Sequence, residues 1–212
     1  MYLIDETYFI KELSIPNINE MDSDNLTILT QYIDEYSRKL LKNALGYDLF
    51  KILDTNITNG VLDVGAHQKW LDLVNGCEYQ KDGITYKWNG LIFTEGLHKS
   101  SLLAKYCFYF WLKDNVTQVT GTGEKSIKSV NADSVNSNQR LVTVWNDFVN
   151  DYQGSGACSP SIWYKGNTKV IDYYGMNNGS KIVSLIQFLQ DNETNYPDAN
   201  LAIYNAQNQF GL

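Results

Sequence analysis

The chain has 212 residues, 43% of them hydrophobic, and a formal charge of -7 from 17 Lys and Arg against 24 Asp and Glu. A chain of that size and apolar content can build a core without disulfide or metal staples. Its acidic balance argues against a fold whose main task is to grip phosphate backbones.

Cys77, Cys107 and Cys158 form an odd set with no CxxC spacing, which disfavours a secreted disulfide scaffold and reads as buried free thiols. The opening MYLIDETYFIKEL lacks the basic-then-apolar order of an export signal. The most apolar stretch, Ser101 to Leu112, is too short and too interrupted by lysine to span a bilayer. A soluble, intracellularly made protein with no membrane partner is expected. Tyrosine reaches 15 while charged residues are only 19%, a surface chemistry suited to protein contact.

Along the chain, residues 1–22 read as an extended or part-helical arm that breaks at Pro16. From Asp24 the steps of three and four through Leu29, Ile33, Leu40, Leu41 and Ala44 predict a helix, capped by Asp22 or Asp24 and stopped at Gly46. A short helix over Asp48 to Leu53 and another over Ala66 to Asn75 follow. Residues 77–80 and 84–88 flank Lys81-Asp82-Gly83 and predict a hairpin. A long helix is expected over Leu91 to Asp114, apolar almost all round and therefore buried on several sides. Residues 115–136 are polar and β-branched and predict a long inter-helix loop. Helices are expected over Ser137 to Tyr152 and Ser180 to Gln190, with loop between them. The fold class is mainly α: a single helical bundle of five to six helices, core about 24–153, with a small hairpin, a long loop, and extended termini at 1–22 and 154–212.

Catalytic and metal motifs are sparse. His67 and His98 have no cysteine at short zinc spacing, and no serine sits in a GxSxG elbow. His98 and Cys107 are the residues an enzyme of unrecognised type would use. Gly121-Thr122-Gly123-Glu124-Lys125-Ser126 has the wrong spacing for a phosphate loop and reads as a turn. The carboxylate pairs Asp34/Glu35, Asp63/Asp72 and Asp147/Asp151 read as solvated helix faces, with no sugar cleft to place them in. No enzymatic activity, cofactor or metal is expected.

Four stretches carry a family resemblance: ILTQYIDEYSRKLLKNALGYDLFKIL (Ile28 to Leu53), KWNGL (Lys87 to Leu91), YCFYFWLKDNVTQVTGTGEK (Tyr106 to Lys125) and NQRLVTVWNDFV (Asn138 to Val149). In their order and residues they resemble the head–tail connector (adaptor) proteins of tailed bacteriophages, most closely those of Bacteroides-type phages. The resemblance spans about residues 26–150 and implies a virion protein at the neck, made in the host cytoplasm. It implies partners in further copies of itself, in a ring of about twelve, in the portal and neck or tail proteins, and in DNA that passes without sequence-specific binding. In such rings the long loop and the C-terminal segment make the contacts. The implied interface residues are Thr117, Thr120, Gly121, Gly123, Glu124, Lys125 and Lys128 in the loop, and Leu201, Ile203, Tyr204, Phe210 and Leu212 in the tail. Another neck or tail-completion protein is the alternative within the same class. The hairpin at 77–88 and the 60-odd residues after Val149 depart from smaller family members.

Overall fold

A computed structural model describes residues 1–15, 18–96, 98–120, 123–126, 137–154, 162–165, 168–171 and 182–207. The chain is a mixed α/β protein, largely helical, with six α-helices and five two-stranded antiparallel pairs among those residues.

Helix α1 runs Ser23–Leu45. The Asp22 carboxylate accepts from the Asn25 N–H, 2.8 Å away, so one orphan amide of the first turn is satisfied. Gly46, at φ +80°, ends the helix and leads directly into α2, Tyr47–Thr55. The short pair β1 (Ile57–Thr58) and β2 (Val61–Leu62) precedes α3, Gln68–Asn75. His67 is the cap of α3, its Nδ1 accepting from the Lys69 N–H at 3.3 Å.

The expected hairpin is present as β3 (Cys77–Lys81) and β4 (Ile84–Trp88), turned by Asp82 and Gly83, both at positive φ as a two-residue turn requires. It is latched to α6, Leu185–Asp191: the Tyr79 hydroxyl and the Lys81 ammonium both donate to the Asp191 carboxylate, at 2.7 Å and 2.5 Å. The stretch before α6 runs beside β4, with the Val183 N–H donating to the Lys87 carbonyl.

The helix expected over Leu91 to Asp114 starts later than its sequence suggests. Residues 92–101 are not the start of a helix but a second hairpin, β5 (Ile92–Glu95) and β6 (His98–Ser101). Helix α4 begins only at Leu102 and runs to Val116. Ser101 sets that start: its hydroxyl donates to the Leu91 carbonyl and accepts from the Leu103 and Ala104 N–H groups. His98 therefore sits on a strand, and its side chain lies outside the described residues.

Helix α4 is the centre of the fold, packed between α1 and α5 (Ser137–Gln153). That position explains its apolar circumference. Leu103, Ala104, Cys107 and Phe108 are buried completely or nearly so. Immediately after it, β7 (Thr117–Thr120) pairs with β8 (Gly123–Ser126), so the expected long loop contains a hairpin. A fifth pair, β9 (Ile162–Lys165) and β10 (Thr168–Ile171), falls in the segment read as loop.

The N-terminal segment, expected as an extended or part-helical arm, takes short helical turns and packs against the bundle. Three 3-10 turns, Glu6–Tyr8, Lys11–Leu13 and Ile18–Glu20, fold the N-terminal segment so that Leu3, Ile4, Phe9 and Ile15 join the core. Arg140 on α5 holds this segment, donating to the Glu12 and Ser14 carbonyls at 3.0 Å and 2.7 Å. The hydrophobic cluster continues through Val183, Leu185, Phe188, Leu189 and Tyr196, well past residue 153.

Candidate functional site

The two groups of expected interface residues sit at opposite kinds of structure. Thr117, Thr120, Gly123, Glu124 and Lys125 belong to β7–β8, in the register Thr117↔Ser126, Gln118↔Lys125, Val119↔Glu124 and Thr120↔Gly123. Gly121 and Lys128 lie outside the described residues. In the tail, Phe210 and Leu212 also lie outside them, whereas Leu201, Ile203 and Tyr204 are placed.

The placed tail residues form a strap, residues 199–207, laid across the bundle with no strand partner. Its backbone is read by side chains and by helix-end carbonyls. At the C-terminus of α1, where the last carbonyls have no helical donor, the Leu201 N–H donates to Ala44 O and the Ala202 N–H to Asn43 O, at 2.9 Å and 3.1 Å. On α5, Gln153 grips residue 204 with both ends of its amide: Nε2 donates to Tyr204 O at 2.8 Å, and Oε1 accepts from Tyr204 N at 2.9 Å. Two helical turns earlier, Asn146 does the same to Gln207, at 2.9 Å and 2.8 Å. Between them Trp145 Nε1 donates to the Asn205 carbonyl at 2.7 Å.

Tyr204 provides the apolar anchor. Its ring lies 5.0 Å from Tyr152, 5.3 Å from Phe148, 5.7 Å from Trp145 and 5.9 Å from Tyr106, between centroids. Edge-on contacts of that kind add to the area buried. Asn43 Nδ2 donates to its hydroxyl at 3.1 Å. Ile203, by contrast, is 76% exposed. The strap thus has a gripped backbone, a half-buried aromatic anchor and one exposed apolar side chain.

Sequence reading missed the groove residues Asn146, Gln153 and Trp145. Their trace in the sequence is faint: two amides two turns apart on one helix face, beside a tryptophan.

A cavity of about 400 Å³ opens between β4, the β5–β6 hairpin, α4 and α5. Asp147, Asn150 and Asp151 line it from α5 and Lys105 from α4. Lys105 pairs with Asp151, while burial of its surroundings holds the Asp147 carboxyl above the usual carboxylate range. Lys105 opposes that shift, and Asp151 and Glu12 add to it. The Asp147/Asp151 pair, read as a solvated face, therefore borders a polar cavity. Of the other pairs, Asp34 accepts from Arg38 at 3.0 Å and Asp72 from Gln68 at 2.7 Å.

Cys107 is a poor source of thiolate, because full burial pushes its thiol up to about 12. Among the described residues no group of three or more His, Cys, Asp or Glu side chains is placed to hold a metal ion. No helix among them is long and apolar enough to cross a membrane. Compared with protein-family models, curated proteins and solved structures, the chain matches none.

Proposed function

We propose that this chain is a structural subunit of the head–tail connector of a tailed bacteriophage, one copy of a ring beneath the portal through which DNA passes. The observation that carries the reading is the placement of the four resembling stretches. They fall on α1 with α2, on the end of β4, on α4 running into β7–β8, and on α5. A central buried helix that passes straight into a hairpin before the chain returns is a scaffold for presenting that hairpin to a neighbour.

The chemistry fits a binding role. Hairpin edges offer unpaired backbone groups to another chain, and a ring multiplies weak contacts between identical subunits. The formal charge of -7 lets DNA pass without adhering. Thr117, Thr120, Gly121, Gly123, Glu124, Lys125 and Lys128 are the proposed contact residues toward the neighbouring subunit or portal, and Ile203 is the tail residue free to meet a neck protein.

Replacing Gly121 to Lys125 by a short Gly-Ser linker tests this. The variant is expected to keep the wild-type unfolding midpoint and to lose incorporation into tailed particles. A variant that folds and still assembles contradicts the reading.

A further inference from the structure

We infer that the groove between the N-terminal segment, α1 and the β1–β2 turn is a docking site for a basic segment of another protein that carries an apolar anchor side chain. This goes beyond the connector reading and does not rest on it.

Three observations carry it. First, the charge of the chain is concentrated in one region. Residues 1–36 hold eight of the 24 acidic side chains against one basic side chain, Lys11, whereas the remaining 16 acids are matched by 16 Lys and Arg. The whole formal charge of -7 therefore belongs to the N-terminal segment and the first part of α1. Asp5, Glu12, Glu20, Asp22, Asp24 and Glu35 are exposed there. A field of one sign attracts the opposite charge and orients it on approach.

Second, a groove opens within that acidic region. Its volume is about 400 Å³, in the range of sites that take up ligands. Leu3, Ile4, Leu29 and Ile33 make its lining apolar, and Tyr2 and Val61 stand at it with 39% and 68% exposed. Large apolar side chains are thus left in water beside an apolar floor, which a partner's side chain would cover. The wall is fixed in place. The Leu3 N–H donates to the Gly60 carbonyl at 2.9 Å, and Tyr2 lies so close to Gly60 that a Cβ there would come within 3.0 Å of it.

Third, carboxylates stand where an occupant's cations would lie. Asp5 and Glu6 line the groove, and Asp22 precedes the lining Leu26 by one turn on the same side of α1. The lining cation, Lys99, is engaged elsewhere: it donates to the Thr7 hydroxyl and sits 5.1 Å from the centre of the Tyr8 ring. An apolar side chain flanked by Lys or Arg satisfies both the floor and the rim. A nucleic acid would meet only repulsion there.

The probe is a short fluorescent peptide with a Leu-Phe pair between runs of lysine, titrated with the full chain and read by anisotropy. Two companion peptides separate the contributions. One keeps the lysines and replaces Leu-Phe by Gly-Ser; the other keeps Leu-Phe between runs of glutamate. The expected result is saturable binding of the first peptide that weakens as salt is raised, and is about ten-fold tighter than that of either companion. Glu6→Lys and Val61→Arg should each weaken it about five-fold. Glu78→Lys makes the same charge change on β3, and Ile203→Arg alters an exposed apolar position beside the other end of α1; both should leave the affinity unchanged.

Equal binding of the Gly-Ser peptide overturns the apolar anchor, and equal binding of the glutamate peptide overturns the charge complementarity. A loss with Glu78→Lys as large as that with Glu6→Lys assigns the effect to net charge and overturns the site. Absence of saturable binding to the unaltered chain overturns the proposal outright, whatever the variants do.

Discussion

Tyr204 is the residue that anchors the strap of residues 199–207. It is the point where a polar, Asn-rich segment meets the aromatic cluster of α4 and α5, and its hydroxyl is spoken for by Asn43. Tyr204→Ala is expected to cost about 2–4 kcal/mol, from the lost ring and the space it leaves. Tyr204→Phe should cost about 1 kcal/mol, the worth of one hydrogen bond. Chemical denaturation of both variants checks the order, and equal midpoints for Ala and wild type would contradict the anchor role. Asp147 makes a prediction of opposite sign. Its carboxyl titrates above the usual range in the folded chain, chiefly through burial. The native state therefore holds that proton more tightly than the unfolded state, and stability falls as pH rises from the ordinary value of about 3.9 through the raised one. Asp147→Asn removes this loss: the variant should melt above wild type at neutral pH, with the gap closing below about pH 4. A gap that does not change with pH contradicts it. Neither role was visible in the sequence, where Tyr204 stood among the tail residues expected at an interface and Asp147 was one half of a surface pair, because each depends on partners far away in the chain.

Elements were legible where the signal is local. Helix α1 follows from its spacing, its Asp22 cap and the Gly46 stop, and the β3–β4 hairpin from the Asp82-Gly83 turn. The start of α4 was not, because β5–β6 lies in front of it and Ser101 decides the boundary through a bond to the distant Leu91 carbonyl. The β7–β8 hairpin was hidden for another reason: its β-branched residues, Thr117, Val119 and Thr120, were read as a featureless polar loop. Glycine marks one element junction that can be tested. Gly90 sits at φ +93°, and a Cβ there would come within 2.6 Å of the Val74 and Asn75 backbone, where α3 ends against the link from β4. Gly90→Ala is expected to destabilise the fold by about 2–4 kcal/mol, from positive φ and overpacking together. Thermal unfolding measures this, and a shift as small as that of a surface substitution would contradict the close approach.

At the scale of the molecule, a folded bundle carries the surfaces proposed to meet other subunits. The sequence carried the helical class, but it understated both the β content and the extent of the core. The N-terminal turns and residues 182–207 pack onto α1, α4 and α5 instead of standing free. What distinguishes a tail that docks on its own chain from one that reaches a partner is three-dimensional closure, to which residue type alone is blind. The proposed connector role is decided by where the protein ends up and in what number. The most direct measurement is its copy number in purified tailed particles, by quantitative mass spectrometry against the portal and major capsid proteins. A stoichiometry equal to that of the portal, about twelve per particle for a closed ring, is the result this account expects. Absence of the chain from particles that are complete and infectious would contradict it.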